Sequence, residues 1–137
     1  MERFYVDTSI WRDYYEDRRD GIRPLGEFAF RFLLTCKAKR YKVLYSKWVV
    51  NELKNRYDKN KIKEIFSILS GLLEEVNLNN EQAKETKRLK NQLKSIPIAD
   101  IIHAILARDN NAIVISRDKH FQELDFIAET RKPEDII

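Results

Sequence analysis

Between Pro97 and Ser116 the chain passes through a helix-length stretch that is apolar on nearly every side and then through an unbroken apolar run. Ile98, Ile101, Ile102, Ile105 and Leu106 form one broad face, and Ala99, Ala104 and Ala107 occupy the rest; Asn110-Asn111 end the stretch, and Ala112-Ile113-Val114-Ile115-Ser116 follows. A helix without a polar face must be buried, and a strand without alternation must be covered on both faces. This pairing excludes a two-layer antiparallel sheet with one wet face. It predicts a strand over 112–116 in the centre of a parallel sheet, with helices above and below.

The rest of the chain repeats the alternation. Residues 3–6 (Arg-Phe-Tyr-Val) and 42–45 (Lys-Val-Leu-Tyr) are short β-favouring runs, each ending in polar residues suited to capping a helix: Asp7-Thr8-Ser9 and Ser46. Leu25, Phe28, Ala29, Phe32, Leu33 and Cys36 mark a core helix by their spacing of three and four, as do Val49, Val50, Leu53 and Tyr57 after Ser46. The same period predicts one helix from Ile62 to Val76, ended by Asn77, and another over 81–94; 125–128 is expected to be a last edge strand. The fold class is therefore α/β with three α/β/α layers, in one domain over residues 1–137.

Composition narrows the function. Three glycines cannot build the usual dinucleotide or phosphate loop, two histidines and one cysteine leave no basis for a zinc site, and no stretch reaches the roughly 20 apolar residues of a membrane span. Arg3 interrupts any leader-like start, and the lone Cys36, read as a buried hydrophobe, suits a reducing cytoplasm. The net charge of +4 is unevenly spread: residues 37–63 hold ten Lys or Arg against two acids, net +8, and the remainder sixteen against twenty, net −4. That segment is either a solvated helical surface or a phosphate-backbone contact, with Lys39, Arg40, Lys54 and Arg56 as the candidate contacts.

Carboxylates remain as the inventory for chemistry. Asp7 follows the first strand and Asp118 follows the 112–116 strand by two residues, so both reach the crevice beyond the carboxyl ends if those strands are neighbours. Asp100 shares a helix face with His103, Ala104 and Ala107; its bland reading is an acid in a helix's first turn. Glu52 reads in isolation as an exposed acid paired with Arg56. Brought into one cleft, four carboxylates would repel unless cations neutralised them, and Mg²⁺ or Mn²⁺ is the natural solution. His103 and His120 read as a helix-packed and a surface-loop histidine rather than as general acids; Trp11, Tyr14 and Tyr15 read as packing residues of the first helix, with base stacking or receipt of a partner's peptide as the alternatives.

Four segments carry a resemblance: Phe4-Tyr5-Val6-Asp7-Thr8-Ser9, Ser46-Lys47-Trp48-Val49-Val50-Asn51-Glu52-Leu53, Ile98-Ala99-Asp100-Ile101-Ile102-His103-Ala104-Ile105-Leu106-Ala107, and Ile115-Ser116-Arg117-Asp118-Lys119-His120-Phe121. In this order over nearly the full length, they resemble the PIN domain family, and among its members the compact VapC-like toxins. The resemblance implies a metal-dependent endoribonuclease using Mg²⁺ or Mn²⁺. Asp7, Glu52, Asp100 and Asp118 would be its acidic quartet, and Ser9 and Ser116 the small hydroxyl positions beside it. It further implies an RNA substrate, an antitoxin protein as partner, and a homodimer. His120 departs from the family, in which many members carry a second acid there; the number of ions, one or two, stays open. Two other functions fit the residues: a housekeeping RNA-processing nuclease without antitoxin, and a non-catalytic module that binds RNA or protein.

Overall fold

The computed structural model describes residues 2–137. Five strands form one sheet: β1 (Arg3–Val6), β2 (Lys42–Tyr45), β3 (Leu73–Glu75), β4 (Ile113–Ile115) and β5 (Thr130–Arg131), in the spatial order β3-β2-β1-β4-β5 with every pair parallel. The helices are α1 (Thr8–Glu16), α2 (Leu25–Lys39), α3 (Lys47–Lys54), α4 (Lys59–Phe66), α5 (Asn80–Gln92), α6 (Ile98–Asp109) and the single turn α7 (His120–Glu123).

Strand β1 is central and dry on both sides. Phe4 meets Phe32 of α2 edge-on at 5.4 Å between ring centres, whereas the adjacent Tyr5 meets the His103 ring of α6 at 5.2 Å. Successive strand residues point to opposite faces. The two contacts therefore put α2 on one face and α6 on the other, the three layers expected. Phe4, Tyr5, Val6, Val114 and Ile115 are all buried, as is the whole of α6 from Asp100 to Ala107. Burial of one such apolar side chain contributes about 1.5–3 kcal/mol, so the uniform apolarity of α6 and β4 is what seats them in the middle.

Two expectations fail, each for a local reason. The 62–76 segment is not one helix: α4 ends at Phe66, Ser67–Leu69 form a 3-10 turn, and Gly71 takes φ +85°, a conformation glycine adopts without steric cost. Residues 73–75 then pair with the open edge of β2, where unpaired backbone groups are satisfied better than in a further helical turn. Likewise 125–128 is not a strand. The amides of Ile127 and Ala128 both donate to the Leu124 carbonyl, and the edge strand forms later, where Glu129 and Arg131 accept from Val114 and Ser116.

Candidate functional site: an acidic cleft beyond β1 and β4

In register, Val6 of β1 lies opposite Ile115 of β4, and the Asp7 amide extends the ladder by donating to the Ile115 carbonyl at 3.0 Å. The first residue past β1 and the residues past β4 thus leave the sheet side by side, as the sequence reading required. Asp7 caps α1 in backbone terms, yet its side chain makes no capping bond. Its Oδ2 instead accepts from Ser9 Oγ at 2.7 Å and Ser116 Oγ at 2.9 Å. Ser116 Oγ also accepts from the Asp118 amide at 3.0 Å, which ties the two acids together. Burial pushes the Asp7 carboxyl above its ordinary range, against the opposing pull of His103 and the two serines.

Helix α6 enters from the other face. Its first turn sits at the carboxyl end of the sheet because Asn110-Asn111 return the chain directly into β4. Asp100 is buried, and its carboxyl is raised to about 6, first by burial and then by the charges of Asp7 and Asp118. His120 Nδ1 lies 3.0 Å from Asp100 Oδ2 and 3.1 Å from Asp118 Oδ1. Ligand atoms of Asp100, Asp118 and His120 all fall within 4.8 Å of one another.

Glu52 stands on the flank of this cluster and pairs with His103, not Arg56. His103 Nε2 is 2.9 Å from Glu52 Oε1, His103 Nδ1 is 2.7 Å from the Tyr5 hydroxyl, and that hydroxyl is 2.7 Å from Ser46 Oγ. A carboxylate only accepts, so Nε2–H donates to Glu52, Nδ1 accepts from the Tyr5 O–H, and Ser46 donates to the Tyr5 oxygen. Burial holds the Tyr5 phenol protonated, consistent with that direction. Ser46, like Asp7, is thereby diverted from the capping bond it was expected to make for α3. Helices remote from the cleft keep theirs: Asp58 accepts from the Lys61 amide, and Asn79 and Gln82 form a reciprocal box.

The structure brings Asp7, Asp100 and Asp118 into one cleft, with Ser9 and Ser116 holding Asp7 and with Glu52 alongside. It does not bring Lys39 or Arg40 there: they lie at the end of α2 just before β2 begins, at the opposite end of the sheet from the acids. Lys54 ends α3 on the flank away from Glu52, and Arg56 follows in the next turn. His103, His120 and Tyr5 are the residues the sequence reading undervalued. For His103 the signal was present, a lone imidazole on an otherwise apolar helix face one turn from Asp100.

The donor set fits a hard divalent cation. Among the described residues, no Lys or Arg forms an ion pair with Asp7, Asp100 or Asp118; the adjacent Arg117 spends its fork on Glu134, at 2.8 and 2.6 Å. Clustered carboxylates and hydroxyls with an imidazole beside them and no Lys or Arg paired to the acids are a donor set that such ions accept.

A parallel α/β domain with its acids gathered at the carboxyl end of the central strand and its neighbour defines a class of acidic-cleft proteins. Within that class this chain belongs to the PIN domain family, whose model matches residues 4–127 and whose members are nucleases. Three solved structures share the fold. A chain of VapBC2 from Rickettsia felis, bound to a DNA fragment from their promoter, aligns with TM-score 0.69 and 16% identity over 95% of this chain and 98% of that one. VapBC-1 from nontypeable Haemophilus influenzae aligns at 0.67 and 17%, over 96% and 98%. FitAcB from Neisseria gonorrhoeae aligns at 0.61 and 17%, over 95% and 97%. No curated protein sequence matches the chain.

Proposed function

We propose that the protein is a Mg²⁺- or Mn²⁺-dependent endoribonuclease and the toxin of a toxin–antitoxin pair. The observation that carries the reading is the cluster of Asp100, Asp118 and His120, joined to Asp7 through Ser116, with no Lys or Arg among the described residues paired to its three acids, in a PIN domain. Asp7, Asp100 and Asp118 hold the cation, directly or through water. Once bound, such an ion offsets the carboxylate charge, stabilises charge on a phosphodiester and activates water for attack. Ser9 and Ser116 fix the Asp7 carboxylate, and His103 fixes Glu52 through Oε1, which leaves Oε2 to orient the attacking water and take its proton. No side chain serves as covalent nucleophile.

The toxin assignment, with an antitoxin as partner, is supported by the VapBC complexes that share the fold. The homodimer follows the family resemblance, and the cytoplasmic location follows the lone, buried Cys36; no described helix is long and apolar enough to cross a membrane. The test is cleavage of a panel of single-stranded and structured RNAs with Mg²⁺ or Mn²⁺, against chelator and purified Asp7→Asn. Cleavage that needs the ion and is lost in the variant is expected. Cleavage indifferent to both would end the reading.

A further inference from the structure

The three acids of the cleft are held to different degrees. Asp7 is buried and fixed by two hydroxyls, and Asp100 belongs to a buried helix. Asp118 is the least supported. Its side chain is 40% exposed, and it rides on the connection from β4 to α7, residues 116–119. Among the described residues its hydrogen bonds run only to Ser116, His120 and Phe121, its own neighbours in sequence. A carboxylate on such a loop is placed only as well as the loop is.

Outside the cleft, the C-terminal segment holds that loop. The Ser116 amide donates to the Arg131 carbonyl of β5 at 3.1 Å, and the Arg117 guanidinium forks onto Glu134 at 2.8 and 2.6 Å. Glu134 lies in the 3-10 turn Pro133–Asp135, which packs against α2 and whose Pro133 is buried. Ser116 and Asp118 turn to the acids, whereas Arg117 between them points to α1 and α2: its guanidinium is 5.7 Å from the Phe28 ring centre, and its Nε is 3.9 Å from Asp13 Oδ2. The Arg117 side chain is 15% exposed, and its Nε–H has no hydrogen-bond acceptor among the described residues. A mostly buried ion pair with an unmet donor adds little net stability, because desolvation offsets the attraction. What a two-bond fork fixes is geometry, since it sets both the position and the rotation of the guanidinium. We propose that Glu134 is a positioning residue of the site, which acts through Arg117 to hold Asp118 where it shares a divalent ion with Asp7 and Asp100. The inference rests on the metal-dependent nuclease reading above, and it adds a residue beyond the stretch 4–127 that the family model matches.

The molecule supplies its own control, because at the far end of α6 Arg108 forks onto Glu85 with the same 2.8 and 2.6 Å contacts. Mn²⁺ is titrated into the unaltered protein, Glu134→Ala, Glu134→Gln and Glu85→Ala. Binding is read from the electron paramagnetic resonance signal of the free ion, with urea unfolding alongside. Glu134→Ala is expected to raise the Kd for Mn²⁺ about tenfold, Glu134→Gln to raise it less, and Glu85→Ala to leave it unchanged. Glu134→Gln keeps the shape of the side chain and carries the comparison if the alanine variant does not fold. Excess Mn²⁺ should restore cleavage by the Glu134 variants, with KM for RNA unchanged. Unaltered affinity in the folded Glu134 variants, or equal weakening by Glu85→Ala, overturns the positioning role and leaves the nuclease reading intact. So does recovery of affinity in the double variant Glu134→Ala/Arg117→Ala, since a freed guanidinium competing with the ion would then be the cause. Absence of Mn²⁺ binding by the unaltered protein takes down the metal-dependent reading and this inference with it.

Discussion

Helix α6 carries acids at both ends, and the two ends treat them oppositely. At its last turn Asp109 and Glu85 of α5 share the Arg108 guanidinium, with contacts of 2.8 and 2.6 Å, and that hydrogen bonding holds both carboxyls below their ordinary range. At its first turn Asp100 faces Asp7 and Asp118 and is raised to about 6. The helix dipole would predict the reverse: an acid is favoured at the amino end by about 0.3–1 kcal/mol and disfavoured at the carboxyl end. Burial and like charges at one end, and a guanidinium at the other, outweigh it. The far end is a finished ion-pair network, whereas the cleft end gathers carboxylates with His120 among them and, among the described residues, no Lys or Arg paired to Asp7, Asp100 or Asp118.

That contrast can be broken at several points. The largest effect concerns Asp100, whose carboxyl moves from 3.8 in the unfolded chain to about 6 in the folded one. The folded state then binds the extra proton, so without divalent ions the contribution of this group is full below about pH 4 and is lost as pH rises through 6, whereas that of Glu85 and Asp109, held low, is lost as pH falls. Urea unfolding in chelator should show this slope, Asp100→Asn should flatten it, and Mg²⁺ at a hundred times its Kd should restore about 2.7 kcal/mol. A profile that is flat without metal would erase the distinction between the two ends. Next, Asp118→Asn should lower cleavage at least about a hundredfold while leaving the fold intact, as judged by circular dichroism. His103→Gln, which disturbs the Ser46-Tyr5-His103 support of Glu52, should lower kcat about tenfold with little change in KM. The smallest effect is expected of Arg108→Ala: a stability loss of about 1 kcal/mol and unchanged cleavage, because that pair is partly exposed and far from the acids.

The same contrast explains what was legible in the sequence. The layers were, since α6 and β4 are apolar by composition, and so were the places of Asp7 and Asp118, which follow predictable strands; Asp100 and Glu52 were singled out only by the family resemblance. The supports were not. Ser46 and Asp7 look like ordinary caps and are instead drawn into hydrogen bonds with Tyr5, Ser9 and Ser116, a choice set by which strands are neighbours. Residues 62–76 keep helical spacing in sequence, yet the unpaired edge of β2 captures 73–75, a tertiary demand that periodicity does not encode. Basic residues 37–63 read as one patch because they are contiguous, but β2 carries the chain from one end of the sheet to the other and separates Lys39 and Arg40 from the cleft.

The pairing of β1 with β4 also bears on time. Asp7 and Ser116, in hydrogen-bond contact, are 109 residues apart, and everything between them must be made first. A chain still on the ribosome and stopped before residue 112 already contains Asp7, Glu52 and Asp100, but it has no β4 to hold the central strand and no Asp118. A nuclease domain is thus synthesised with its acidic cleft incomplete, and the cleft closes only as the last fifth of these residues folds into place.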